Sequence, residues 1–255
     1  MSAESRWTRI RDTLWHPPRP HGEQPRERVV GPLELFYDLV IVVLVAQAAH
    51  HLAERLTWRG FGEYAAVFTL IWVAWFNGSL YHELHGRDDA RGRIMFLIQI
   101  LILVPLGSFI PGAGGAHGAA FAVTAGLLFA VLAGLWALAA RGDSPGYRRL
   151  SRQYVAGTAA GAALLAASAL LPLDIRLAVW GVLGACYLAG LAVTMRLAVT
   201  GDPLAAFAVT PAVIERFGLL IIIVLGETVT GVVDGLTGEH AVDARILATT
   251  GLRTV

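Results

Sequence analysis

The chain has 255 residues, of which 56% are hydrophobic and only 15% are charged, and its mean hydropathy is +0.60. One soluble core cannot bury so much apolar surface, so the composition excludes an ordinary soluble domain and predicts a protein embedded in lipid. The formal net charge is +1, and all twenty basic residues are arginines at the ends of apolar stretches. The absence of one continuous basic patch argues against a nucleic-acid partner.

Long apolar stretches recur along the chain and reach the roughly 20 residues that a helix needs to cross the hydrocarbon core. They lack the strict alternation of barrel strands, so each must satisfy its backbone as a helix. The sequence therefore predicts an all-α polytopic transmembrane helical bundle. We expect about seven spans, at approximately 32–52, 62–82, 93–111, 118–140, 153–172, 175–199 and 213–234.

A polar, Arg- and Pro-rich segment at 1–30 precedes the predicted transmembrane domain at 31–236. It contains no apolar run, so it lacks the pattern of a cleavable signal peptide, and the first span is expected to direct insertion. A polar-to-apolar tail at 237–255 follows the domain. Its apolar part is too short to cross a membrane, and we interpret the tail as a truncated continuation.

The arginines indicate how the bundle is oriented. When the loops are assigned to alternate sides of the membrane, fifteen of the twenty arginines fall on the side of the amino terminus. By the positive-inside rule, the amino terminus is predicted to be cytoplasmic, in a multi-pass protein of the cell membrane.

Two carboxylates open the first predicted span. Glu34 and Asp38 are four residues apart, which places them on one helix face with Cβ atoms about 5–6 Å apart. They could share a proton, bind a cation or pair with an arginine from another helix. Alternatively, both stay solvated at the interface, where the helix dipole favours an anion. Asp38 lies about 9 Å beyond Pro32, and this depth favours a functional role for Asp38.

A third carboxylate, Glu227, lies about 18 Å beyond Glu215 in the last predicted span. A charge there costs about 2.5–3.5 kcal/mol on insertion scales, so Glu227 is expected to face the bundle interior. Thr230 and Asp234 extend its face as a polar stripe. We interpret Glu227 as a group that handles an ion or a proton. The alternative is a neutral carboxyl that is hydrogen-bonded in helix packing.

Arg216 is the basic residue of the last predicted span. With its neighbour Glu215 it is expected to form an interfacial ion pair near the membrane edge. From depth alone, Arg216 could instead reach Asp38, because both spans run in the same direction.

Three further patterns carry weaker predictions. His82 and His85 have a spacing that could hold a metal, but a solvated helix end is favoured, so neither a metal site nor a cofactor is predicted. Gly157 and Gly161 form a GxxxG pair that predicts close approach of a neighbouring helix. The glycines at 112–118 loosely suggest a phosphate loop, but no strand precedes them and the nucleotide interpretation is rejected.

Three segments, found in this order, resemble the bacterial low-temperature-requirement A (LtrA) family of multi-pass membrane proteins. They are the acidic segment at 34–40, the loop at 87–93 and the segment at 215–227. The resemblance covers nearly the whole chain from about residue 28. It implies a polytopic inner-membrane protein linked by name to growth in the cold, and it implies no established activity or residue roles. Family members generally continue for several more helices, which implies a short or truncated member, and Tyr37 stands where phenylalanine is usual.

The sequence favours a transport protein in which Glu227, Asp38 and Glu34 handle a proton or a cation. The alternative is a non-transporting assembly factor, or a factor in adaptation to cold or envelope stress, in which the carboxylates fix helix packing. An enzyme is disfavoured because no nucleophile or metal site can be identified. The expected partners are the lipid bilayer and a proton or cation, and the sequence specifies no oligomeric state.

Overall fold

The computed structural model describes residues 16–20, 31–54, 57–87, 89–199, 213–226 and 229. Within these residues the chain is almost entirely helical and contains no strand. A short 3-10 helix, Ile110–Gly112, follows α3. The α-helices are α1 (Pro32–Glu54), α2 (Trp58–His85), α3 (Ala90–Phe109), α4 (Gly118–Ala140), α5 (Pro145–Ser168), α6 (Leu173–Val199) and α7 (213–226).

Five helical stretches of the described chain are long and apolar enough to cross a membrane. They are Pro32–Ala53, Trp58–His85, Ala90–Gly112, Gly118–Ala140 and Leu173–Arg196. They correspond to the first four and the sixth of the predicted spans. The predicted all-α membrane bundle is thus confirmed as a fold class.

The fifth and seventh predicted spans differ from the structure or extend beyond its described part. Helix α5 begins at Pro145 and ends at Ser168, whereas the sequence predicted a span at 153–172. Its first two turns carry three arginines, so the apolar portion is shorter than the roughly 20 residues of a spanning helix. Of the seventh predicted span, 213–226 is helical, and most of the remainder lies outside the described residues.

Local signals fix where several helices begin. The side chain of Thr57 accepts a hydrogen bond from the Gly60 amide at 3.0 Å, and the side chain of Asp89 accepts one from the Gly92 amide at 2.8 Å. Such caps satisfy amides that the first helical turn leaves without partners. Pro145 opens α5, where the fixed φ of proline suits the first helical position.

Helix α2 lies at the centre of the bundle and packs against α1, α4 and α6. In its most apolar stretch 67% of the residues are buried, against 11% in the corresponding stretch of α6. The most extensive packing between described helices joins α4 and α5. There a Cβ added to Gly126 would lie 3.0 Å from the Ala162 carbonyl oxygen, so glycine lets the two backbones approach closely.

The GxxxG prediction for α5 is confirmed at one of its two glycines. A Cβ at Gly161 would lie 2.2 Å from the Tyr187 hydroxyl of α6, so only glycine leaves room for this side chain. A Cβ at Gly157 would meet no atom within 4 Å. Gly157 therefore faces open space rather than a neighbouring helix.

Candidate functional site

Two helices bring three charged side chains together inside the bundle. Glu34 lies in the first turn of α1 and Asp38 lies one turn further on. Their side chains are on the buried face, with relative exposures of 5% and 2%. Helix α7 places Arg216, which is 3% exposed, against the same face. Burial of all three excludes the alternative in which Glu34 and Asp38 stay solvated at the interface.

One guanidinium spans both carboxylates. Arg216 Nη2 donates a hydrogen bond to Asp38 Oδ1 at 2.7 Å, and Arg216 Nη1 lies 3.8 Å from Glu34 Oε2. A second donor reaches the same oxygen, because Trp75 Nε1 of α2 donates to Asp38 Oδ1 at 2.7 Å. Asp38 thereby links α1, α2 and α7. We call Glu34, Asp38 and Arg216 the carboxylate site.

Aromatic contacts hold α7 in this register. Phe217, the residue after Arg216, packs its ring between the indoles of α2, with centroids 6.2 Å from Trp72 and 6.1 Å from Trp75. Ring pairs at this separation add to the apolar area that they bury. Two consecutive residues of α7 therefore contact the bundle. Arg216 makes the ionic contacts and Phe217 makes the aromatic ones.

The structure shows the alternative in which Arg216 reaches Asp38, which depth alone had suggested. The predicted interfacial pair of Glu215 and Arg216 is wrong, because Glu215 is exposed while Arg216 turns inward to the carboxylates of α1. Consecutive helical residues point about 100° apart, and here Arg216 faces the bundle while Glu215 faces outward. Glu227, Thr230 and Asp234 lie outside the described residues, and their predicted roles stay predictions.

A second group of buried polar residues lies beside this site, between α2 and α3, and was not predicted as part of it. Asn77 accepts a hydrogen bond from Trp136 Nε1 at 2.7 Å. Gln99 Nε2 lies 3.3 Å from His82 Nε2, and the His82 ring stacks on Phe96 with centroids 3.6 Å apart. Polar residues in a membrane helix turn toward the bundle interior, as these do.

Tyr37 connects the two groups, since it precedes Asp38 and its side chain reaches α2. A Cβ on Gly78 would lie 3.1 Å from the Tyr37 hydroxyl and 2.9 Å from Gln99 Oε1. Both residues have 0% exposure, and within the described chain neither oxygen has a hydrogen-bond partner. Gly78 therefore lets both oxygens approach the backbone of α2 closely. A glycine among the polar residues Asn77, Ser79 and His82 is the sequence signal that could have identified this close contact.

Residues 16–20 lie against the loop that joins α2 to α3. The Arg19 amide donates to the His85 carbonyl at 3.1 Å, and the Arg19 side chain donates to the Glu83 carbonyl at 2.8 Å. Arg91 Nη1 donates to the His16 carbonyl at 3.0 Å. His85 Nδ1 lies 2.6 Å from the Arg19 carbonyl oxygen. Among the described residues no group of three or more His, Cys, Asp or Glu side chains could hold a metal ion.

The glycine loop, residues 112–118, lies at the opposite end of the bundle. The Gly114 amide donates to Glu63 Oε1 at 2.6 Å, and a Cβ on Gly114 would lie 1.9 Å from Glu63 Oε2. A Cβ on Gly118 would lie 2.3 Å from Arg176 Nη1. The glycines thus make room for two charged side chains of the protein itself, which accounts for the pattern without a bound phosphate.

Apolar helices of spanning length, packed around buried ionisable side chains, define a multi-pass α-helical membrane protein. Residues 29–255 match the family model described as "Bacterial low temperature requirement A protein (LtrA)". The chain therefore belongs to the LtrA family, as the sequence resemblance implied. Comparisons with curated proteins and with solved structures give no match.

Proposed function

We propose that this LtrA-family protein is a proton-linked transporter of the bacterial inner membrane, with its amino terminus in the cytoplasm. The observation that supports the proposal is the carboxylate site, where two buried carboxylates of α1 lie within reach of one arginine of α7. Ionisable groups inside a membrane domain are costly, and where they are retained they mark ion and proton pathways. The arginine-rich end, at which α1 begins and α2 ends, supports the orientation.

The chemistry of the site favours a proton over a metal cation. Arg216 already occupies the position between the carboxylates that a bound cation would take, and a guanidinium stays charged in proteins. Of the three groups, only the two carboxyl groups can gain and lose a proton. The variable quantity at this site is therefore the protonation of Glu34 or Asp38.

Protonation would also act on the helices. Asp38 accepts hydrogen bonds from Arg216 and Trp75 on two other helices. A neutral carboxyl accepts a weaker bond from a guanidinium than a carboxylate does. Gain of a proton at Asp38 would thus loosen α7 from α1, and loss of the proton would restore the contact. A change of this kind couples a proton to a helix movement.

The test is proton flux into liposomes that contain the purified chain, reported by a pH-sensitive dye under an imposed gradient. Asp38→Asn keeps the side-chain size and the oxygen that accepts from Trp75, but it cannot exchange a proton. We expect Asp38→Asn to reduce flux by about 100-fold or more, the contribution of a positioned proton-transfer group. Glu215→Gln, a change at the exposed carboxylate beside Arg216, is the matched control and should retain full flux.

A non-transporting packing factor is the second candidate function. The observation that favours it is the pair of hydrogen bonds that Asp38 accepts from Trp75 and Arg216. They connect three helices, as a structural role requires. In that case the wild-type chain shows no flux at any gradient, and Asp38→Asn lowers thermal stability in detergent. Wild-type flux that disappears in a folded Asp38→Asn variant contradicts the packing role.

A further inference from the structure

A cavity of about 290 Å³ lies between α2, α5 and α6, and its lining includes none of the three residues of the carboxylate site. Its walls are largely apolar and include Trp72, Phe76, Leu150, Tyr154, Tyr187 and Leu191. The volume is close to the lower end of the range of roughly 300–1,000 Å³ that is typical of ligand sites. The cavity is lined by the second halves of α2 and α6 and the first half of α5, so it lies toward the arginine-rich end.

A basic surface adjoins the cavity at that end. Arg148, Arg149 and Arg152 line an open depression on the first turns of α5. All three side chains are exposed. Arg152 is three and four residues from the other two, so the three guanidinium groups share one side of the helix. Gln153 lines both the depression and the cavity, so the two lie on adjacent faces of α5.

Glycines keep the cavity open. Gly157 and Gly190 both line it, and a Cβ at either position would meet no atom within 4 Å. Gly157 belongs to the GxxxG pair of α5, but it makes no close helix contact, in contrast to Gly161. The cavity therefore accounts for a glycine that helix packing does not require.

We propose that the cavity and the three arginines form a binding site for one anionic phospholipid. An acyl chain occupies the apolar cavity, and the phosphate lies at the level of Arg148, Arg149 and Arg152. Basic pockets between membrane helices on the cytoplasmic side suit anionic headgroups, since the charges are complementary and lie at headgroup depth. The inference rests on the proposed cytoplasmic orientation of the arginine-rich end but not on transport, because it uses none of the residues of the carboxylate site.

Native mass spectrometry of the purified chain tests the proposal directly. The chain is reconstituted with equal amounts of phosphatidylglycerol and phosphatidylcholine, extracted in mild detergent and scored for bound lipid. We expect one phosphatidylglycerol per chain to survive extraction. Bound phosphatidylcholine in equal proportion would overturn the assignment of an anionic site.

Two pairs of variants locate the site. Gly157→Leu fills the cavity and should abolish retention, whereas Gly134→Leu, at an exposed glycine of α4 that also has open space at its Cβ, should not. Arg148→Gln with Arg152→Gln should weaken phosphatidylglycerol binding by about 30-fold, from the usual contribution of two surface arginines. Arg93→Gln with Arg141→Gln removes the same charge at the same end, outside the cavity, and should leave binding unchanged.

Three results would overturn the proposal. The first is retention of the lipid in both the Gly157→Leu and the arginine variants. The second is an equal loss of the lipid in the control variants. The third is a wild-type dimer that Gly157→Leu dissociates, which would mean that a second copy of the chain occupies the cavity. Gly190→Leu fills the same cavity from α6 and replaces Gly157→Leu if that variant does not fold. Absence of proton flux leaves the lipid result unaffected, so the two proposals fail separately.

Discussion

The carboxylate site and the glycine loop hold buried charges in different ways. At the carboxylate site, charged side chains of two helices meet each other, as Arg216 does with Asp38. At the glycine loop, charged side chains mainly hold backbone. Glu63 accepts from the Gly114 amide and lies 3.8 Å from His51 Nε2, and Arg176 donates to carbonyls at the end of α5. In the first kind of contact two opposite charges meet, so a proton gained by Asp38 would remove one of them. The second kind uses fixed backbone dipoles and is suited to architecture.

The largest effect is expected from Arg216→Gln. It leaves two adjacent buried carboxylates without their shared guanidinium, and loss of one partner of a buried pair typically costs about 3–5 kcal/mol. The free energy of unfolding, measured by titration with a denaturing detergent, should fall by that amount. Glu215→Gln, at the neighbouring exposed residue, should change it by less than about 0.5 kcal/mol. Equal stability of these two variants would show that buried Arg216 stabilises the protein no more than exposed Glu215 does.

A smaller effect is expected from Gly114→Ala at the glycine loop. The new methyl group would displace the Glu63 carboxylate and break its hydrogen bond with the Gly114 amide, at a cost of about 2 kcal/mol. Gly115→Ala is the matched control, because the nearest atom to its Cβ would be the Gly112 carbonyl oxygen at 3.8 Å. Thermal unfolding in detergent should separate the two variants. If they unfold together, the backbone-held charge contributes nothing measurable.

The smallest effect is expected at the exposed ion pair of Arg59 and Asp174, whose charged atoms are 2.7 Å apart. The side chains are 62% and 82% exposed, so water and salt screen their attraction. Arg59→Gln should lower the free energy of unfolding by less than about 1 kcal/mol, and 0.5 M salt should remove the difference. A loss as large as that of Arg216→Gln would show that exposure does not govern the strength of these pairs.

Hydropathy predicted most of the fold, because the bilayer sets the length of a spanning helix. The predicted span 118–140 coincides with α4, whose apolar run ends at Arg141. The failure at α5 has a physical cause. Its apolar composition extends past Ser168, but the helix stops there, and Arg176 donates to the Ser168 and Leu171 carbonyls that the helix end leaves exposed. Amino-acid composition alone does not show that a side chain of α6 caps the end of α5.

The site was predictable in part. Depth along two parallel spans is enough to bring Arg216 to the level of Asp38, and that contact was one of two alternatives considered for Arg216, the less favoured one. The donor Trp75 was not, because the face that α2 turns toward α1 depends on the packing of several helices at once. Tyr37 and Gln99 were missed for the same reason. Residue spacing predicts which residues are neighbours within one helix, whereas these contacts are made between different helices.

The carboxylate site also has a consequence for biosynthesis. Asp38 precedes Trp75 by 37 residues and Arg216 by 178. At about 5–20 residues per second, the ribosome makes Trp75 ~2–7 s after Asp38 and Arg216 ~10–40 s after it. The nascent chain therefore inserts Asp38 long before its guanidinium exists, with the indole of Trp75 as its early partner. A chain whose synthesis stops before Arg216 would hold Asp38 in the membrane without that compensating charge.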